Sequence, residues 1–76
     1  MLFSSDKKIT FVVTGMHCVH CKASCEKAAL SVSGVKKAVA DPKSNSLVIK
    51  TEKSFDNTSG VIAAVENCGF SAKLSE

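Results

Sequence analysis

The stretch VKKAVADPKSNSLVIKT, residues 35–51, constrains this chain most. Residues 35–41 read as one strand, residues 46–51 as a β-rich second one, and PKSN at 42–45 separates them. Pro42 has no N–H to give to a strand ladder, and Ser44 and Asn45 favour turns. The stretch therefore reads as a β-hairpin. What flanks it decides the architecture.

On the N-terminal side, KKITFVVT (7–14) alternates, with Ile9, Phe11 and Val13 on one face of a half-buried strand. Gly15 breaks that strand. From Val19 the spacing becomes helical: Cys21, Cys25, Ala28, Ala29 and Val32 share a stripe, with Lys22, Ser24, Glu26 and Lys27 largely outside it. Gly34 is the expected helix stop. After the hairpin, FDNTSG offers Asn57, Thr58 and Ser59 as helix caps. VIAAVEN follows as a second helix with Val61, Ala64 and Val65 inward. Gly69 ends it, and FSAKLS (70–75) is a short last strand. The order β-α-β-β-α-β, with right-handed crossovers, interleaves into a four-stranded antiparallel sheet with both helices on one face. The expected fold class is α+β, a ferredoxin-like open sandwich. It forms one domain over residues 1–76, with its core at about 7–75.

Composition narrows the function. The chain is 45% hydrophobic, too much for a disordered segment. Its net charge is +3, and all ten basic residues are lysines, scattered singly or in pairs. Nucleic-acid binding calls for clustered basic residues interleaved with aromatics, so an acidic protein partner is the more economical reading. MLFSSDKK has no long apolar stretch ahead of its charges, so a secretory signal is not expected. No stretch approaches the roughly 18 apolar residues of a transmembrane helix. The expectation is a cytoplasmic chain whose thiols stay reduced, with no direct membrane insertion. Four cysteines then point to metal or thiol chemistry.

The chemistry concentrates in GMHCVHC, residues 15–21, between the first strand and the first helix. Cys18 and Cys21 stand three apart. Such a pair serves as a redox couple, half of a zinc site, or a complete two-thiolate site for a soft metal.

GMHCVHC in this setting resembles the G-M-x-C-x-x-C loop of heavy-metal-associated domains. These form cytosolic copper chaperones, mercury-binding proteins and N-terminal modules of metal-pumping P-type ATPases. The resemblance covers nearly the whole chain: SGVKKAVAD is similar to the family's passage into the second strand, and VIAAVENCGFSA to its second helix and closing turn. The histidine before the second cysteine is seen in bacterial copper chaperones of the family. Departures are few. Ala40 and Pro42 stand where larger apolar residues are common, and Cys25 where an aliphatic is usual.

The resemblance implies a metallochaperone that holds Cu(I) on Cys18 and Cys21 and passes it on by thiolate exchange. The residue chemistry agrees. Unpaired N–H groups at a helix start stabilise thiolates. Two soft sulfurs suit Cu(I). Structural zinc usually takes four protein ligands, and the chain has no second C-x-x-C. A thioredoxin-like oxidoreductase also places C-x-x-C at a helix start, but that fold is longer and carries an aromatic before the first cysteine, where this chain has His17. Nothing resembles a nucleophile–base pair or a substrate pocket, so no enzyme is expected. The implied partner is a P-type copper-transporting ATPase or a copper sensor, with a metal-bridged homodimer as a further arrangement. The start at Met1 and the lack of a trailing linker favour a free-standing chaperone, whereas the CGF turn keeps an ATPase module in view. A carrier for Hg(II), Cd(II) or Zn(II) is another alternative.

The surrounding residues receive supporting roles. Met16 packs beneath the loop. His20 tunes the thiolates, and His17 is simply exposed. Lys22 offsets thiolate charge and helps dock an acidic partner. Phe70 shields the sulfurs from water. Cys25 reads first as a small buried hydrophobe and second as an extra ligand. Cys68 reads first as a partly buried helix-end residue and second as a third ligand or a dimer bridge.

Overall fold

The structure, a computed structural model, describes residues 7–17 and 19–75. The described residues form β1 (Lys7–Thr14), α1 (Val19–Leu30), β2 (Val35–Asp41), β3 (Ser46–Thr51), α2 (Thr58–Glu66) and β4 (Ser71–Leu74). The sheet runs β2-β3-β1-β4, every pairing antiparallel. The expected ferredoxin-like sandwich is what forms.

Alternation in β1 and β3 builds the core. Phe11 and Val13 of β1 and Leu47, Ile49 and Thr51 of β3 are buried, and Ile9 packs at the margin. Helical spacing supplies the other layer, with Cys25 and Ala29 of α1 and Val61 and Val65 of α2 fully buried. Thr51 is the buried polar residue of this core; its hydroxyl donates to the Glu52 carbonyl at 3.0 Å, which removes the penalty of burying it.

β2 departs from simple alternation. Val35 pairs with Thr51 but Lys37 pairs with Lys50, so one extra residue, Lys36, forms a bulge. Beyond it Ala38 and Ala40 face the helices while Lys37 and Val39 face outward. Without the bulge, the period of two would turn Lys37 inward with Val35. The hairpin turn is as expected, with Asn45 in the left-handed region at φ 54°.

Two helix ends differ in how well they were anticipated. Asn57 caps α2: its side chain accepts a hydrogen bond from the Gly60 N–H at 3.2 Å. Thr58 and Ser59 lie inside the helix. Gly34 does not stop α1. The helix ends at Leu30, where the Ser31 hydroxyl donates to the Ala28 carbonyl at 2.6 Å. Gly34 instead makes the turn into β2 at φ 95°, directly under Phe55; a Cβ there would lie 2.8 Å from Phe55 Cδ1.

Candidate metal centre

β1 ends at Thr14, and Gly15 turns the chain with φ 102°, a conformation that side-chain-bearing residues resist. Met16 then drops into the core and is buried, as expected of a loop anchor. His17 is exposed. Cys18, the first expected ligand, lies outside the described residues. α1 opens immediately after it.

Val19, His20 and Cys21 form the first turn of α1. Val19 is 74% exposed and His20 is exposed, while Cys21 is half-buried on the edge of the core. This turn contains no acidic residue to compete with an anionic sulfur for the helix's free N–H groups. Cys21 therefore sits in the first helical turn, half shielded at the edge of the core.

A second segment completes this end. After α2, Cys68 donates its N–H to the Val65 carbonyl at 3.0 Å and Gly69 to the Glu66 carbonyl at 2.9 Å. This turn abuts the loop: a Cβ on Gly15 would lie 3.5 Å from Phe70 Cδ1 and 3.8 Å from the Gly69 oxygen. Phe70 is half-buried against the core beside Gly15.

The two further cysteines have opposite environments. Cys25 is fully buried, one helical turn below Cys21. Burial pushes its thiol up to about 11, with the nearby Cys68 and Glu26 adding to the effect. It is a protonated thiol at neutral pH, packed as a small hydrophobe. Cys68 is exposed, contrary to the partial burial expected at a helix end. The turn over α2 carries its side chain outward, so sulfur is available there.

Lys22 also departs from expectation. Its ammonium is held by the Glu26 carboxylate at 2.6 Å, one turn along the helix. Glu26 is no bystander outside the stripe. Its Oε2 also accepts the Ala40 N–H at 2.9 Å, so α1 satisfies a backbone donor on β2, an edge strand of the sheet. The bond to Lys22, then that to Ala40, holds the Glu26 carboxyl below the usual range. The spacing of KASCEK indicates the i,i+4 pair but not the bond to Ala40, which depends on where a strand fourteen residues away is laid down.

The sequence pattern of the heavy-metal-associated domain matches residues 10–71. The chain belongs to the heavy-metal-associated domain family. Among relatives, it is 33% identical to the copper chaperone CopZ of Enterococcus hirae, over 88% of this chain and 97% of that protein. The solved apo form of a copper chaperone of Enterococcus hirae superposes with a TM-score of 0.78 at 31% identity, covering 88% of this chain and 98% of that one. The chain is 31% identical to a copper-exporting P-type ATPase of Vibrio cholerae over 93% of its own length, but that match spans 8% of the ATPase. It is 30% identical to the periplasmic component of a mercuric transport system of Shewanella putrefaciens, over 96% of this chain and 80% of that protein. At the level of the family, this heavy-metal-associated domain is a metal-binding one. Among the described residues, no helix is long and apolar enough to cross a membrane.

Proposed function

We propose that this heavy-metal-associated domain is a cytoplasmic carrier of Cu(I), bound by the thiolates of Cys18 and Cys21 and passed to a partner by ligand exchange. The observation that carries the reading is the position of Cys21: half-buried in a first helical turn free of acidic residues, three residues after a second cysteine. The similarity to a copper chaperone over nearly its full length supports the choice of cargo.

The mechanism follows from donor chemistry. Two sulfurs bind Cu(I) well and leave it coordinatively open. An incoming thiolate from a partner adds as a third ligand, one of the original sulfurs departs, and the ion is never released to water. His20, exposed beside Cys21, modulates the sulfurs' basicity, and Phe70 limits water on the other side. Cys25 stays a protonated thiol in the core and is not a ligand. Cys68, being exposed, is the sulfur available as a third ligand or as a bridge between two copies. The partner is a copper-transporting P-type ATPase or a copper sensor. No catalytic turnover is expected. The 31% identity to a segment of a copper-exporting ATPase favours a second reading, a metal-binding module of such a pump, which uses the same two cysteines.

Anaerobic Cu(I) titration against a chromophoric competitor tests the site. One tight Cu(I) per chain is expected. Cys18→Ser with Cys21→Ser should weaken it by roughly 100-fold or more for each thiolate removed. Retention of full affinity by the double variant would sink the assignment. Repeating the titration with Zn(II) and Hg(II), and on Cys68→Ala and Cys25→Ala, fixes the cargo and the sulfur count.

A further inference from the structure

The positive charge of this domain is gathered at the end away from the cysteine loop. β1 starts there, β3 ends there and β2 starts there, as the pairings Lys7 with Thr51 and Val35 with Thr51 require. Lys7, Lys8, Lys36, Lys37, Lys50 and Lys53 lie in or beside those strand ends. The described carboxylates in the same region are Glu52 and Asp56. Lys7 is committed inward, its ammonium donating to the Phe55 carbonyl at 2.8 Å.

Three of these lysines share one row of the sheet. Lys8 is paired with Lys50, and Lys50 with Lys37, so the row crosses β1, β3 and β2 on the face opposite the helices. All three are exposed. Like charges directly opposite one another on a sheet are destabilising. The Lys36 bulge is what brings Lys37 into the row, since simple alternation from Val35 would turn it inward. The adjacent row is Thr10, Val48 and Val39, and Val39 is 58% exposed. The outer sheet face thus offers a strip of three cations beside an aliphatic strip, with no described carboxylate within salt-bridge distance of the three lysines.

We infer that this outer face, centred on Lys8, Lys37 and Lys50, docks an acidic protein surface whose carboxylates flank a small aliphatic side chain. Carboxylates would relieve the lysine repulsion, and the aliphatic group would cover Val39 and Val48. The described face has no aromatic for bases to stack on, and the chain has no arginine for bidentate phosphate contacts, which disfavours nucleic acid. Three lysines attract an anionic membrane by about 1 kcal/mol each, too little without an inserting apolar group. The surface does not depend on the Cu(I) reading. It would leave the cysteine loop open while the domain is held.

The probe is a peptide of repeated glutamate pairs separated by single valines, titrated into the isotope-labelled full chain at low ionic strength. Amide shifts are expected at residues 8, 37, 39, 48 and 50, with little change at 15–22. The triple variant K8Q/K37Q/K50Q should bind the peptide roughly tenfold more weakly. K27Q/K43Q/K73Q, which loses the same charge off the row, should stay within about twofold. Equal loss in both variants, shifts centred on the cysteine loop, or tighter binding to phosphatidylserine vesicles or duplex DNA than to the peptide would each overturn the proposal. Lys50→Gln alone should also raise the melting temperature at low salt, because the middle charge of the row is gone; a lowered melting temperature would count against it.

Discussion

The two ends of this domain are built by different rules. At the cysteine end, Gly15 approaches Phe70 at ordinary contact distance, exposed Val19 and His20 flank a half-buried Cys21, and Cys68 is exposed on the turn after α2. At the far end, Phe55 is buried over Gly34, Lys7 is tied to the Phe55 carbonyl and Thr51 is sealed by its hydroxyl bond. One end keeps sulfur accessible; the other holds the strands together and carries the charge. The separation means that changes at the far end should cost stability, whereas changes at the cysteine end should cost metal binding.

The two left-handed glycines break or sharpen that contrast most directly. Gly34 has two reasons to be glycine: φ 95° and a Cβ position 2.8 Å from Phe55 Cδ1. Gly15 has one, φ 102°. Gly34→Ala should cost about 3 kcal/mol, combining backbone strain with a disturbed aromatic. Gly15→Ala should cost about 1 kcal/mol. Urea denaturation of both variants reads the difference. If Gly15→Ala proved the more destabilising, the stability of the domain would lie at the cysteine end after all.

The next largest effect lies between the two ends. Glu26→Ala removes the partner of both Lys22 and the Ala40 N–H and should cost about 1–2 kcal/mol, with Glu26→Gln recovering part of it. Because the Glu26 carboxyl is lowered in the fold, its contribution is fully present above the ordinary carboxylate value and is lost as pH falls from there through the lowered one. The variant's deficit should therefore shrink in acid. A deficit unchanged at low pH would mean that the loss is packing and not the charge-assisted bonds.

The contrast also separates what the sequence discloses from what it hides. Every strand and both helices are readable, because period-two and helical spacing meet at sharp breaks such as Gly15 and Pro42. Cys21 falls at the margin of the helical stripe that its spacing indicates, and Met16 is buried beneath the loop as an anchor. The misses all involve contacts between segments far apart in the chain. Gly34 looks like a helix stop because a glycine after an apolar stripe usually is one, but its environment is set by Phe55, twenty-one residues on. Cys68 looks half-covered because its neighbours Val65 and Phe70 face the core, yet the turn carries it outward. Glu26 looks like part of a solvated face until β2 is laid beside α1 and its carboxylate takes the Ala40 N–H; its pairing with Lys22 at i,i+4 is local. The lysine row depends on a bulge, which shifts facing by one residue and which VKKAVAD does not announce.

The smallest effect concerns the two outlying cysteines, one in each environment. Cys25 is fully buried with its thiol pushed up to about 11, from an ordinary thiol value of 9.0. A thiol raised in the folded state favours folding in its protonated form. That contribution is complete below pH 9 and is lost as pH rises from 9 towards 11. By pH 10 the loss is about 1 kcal/mol. Lysines titrate in the same window, so the measurement is a difference: the stability gap between the wild-type chain and Cys25→Ala, followed by chemical denaturation. The gap should be flat between neutral pH and pH 8 and should narrow above pH 9, whereas Cys68→Ala, at an exposed position, should leave stability nearly unchanged at neutral pH. A Cys25→Ala gap that stayed flat to pH 10 would mean that Cys25 ionises inside the fold, and would return it to the list of sulfurs a metal could recruit.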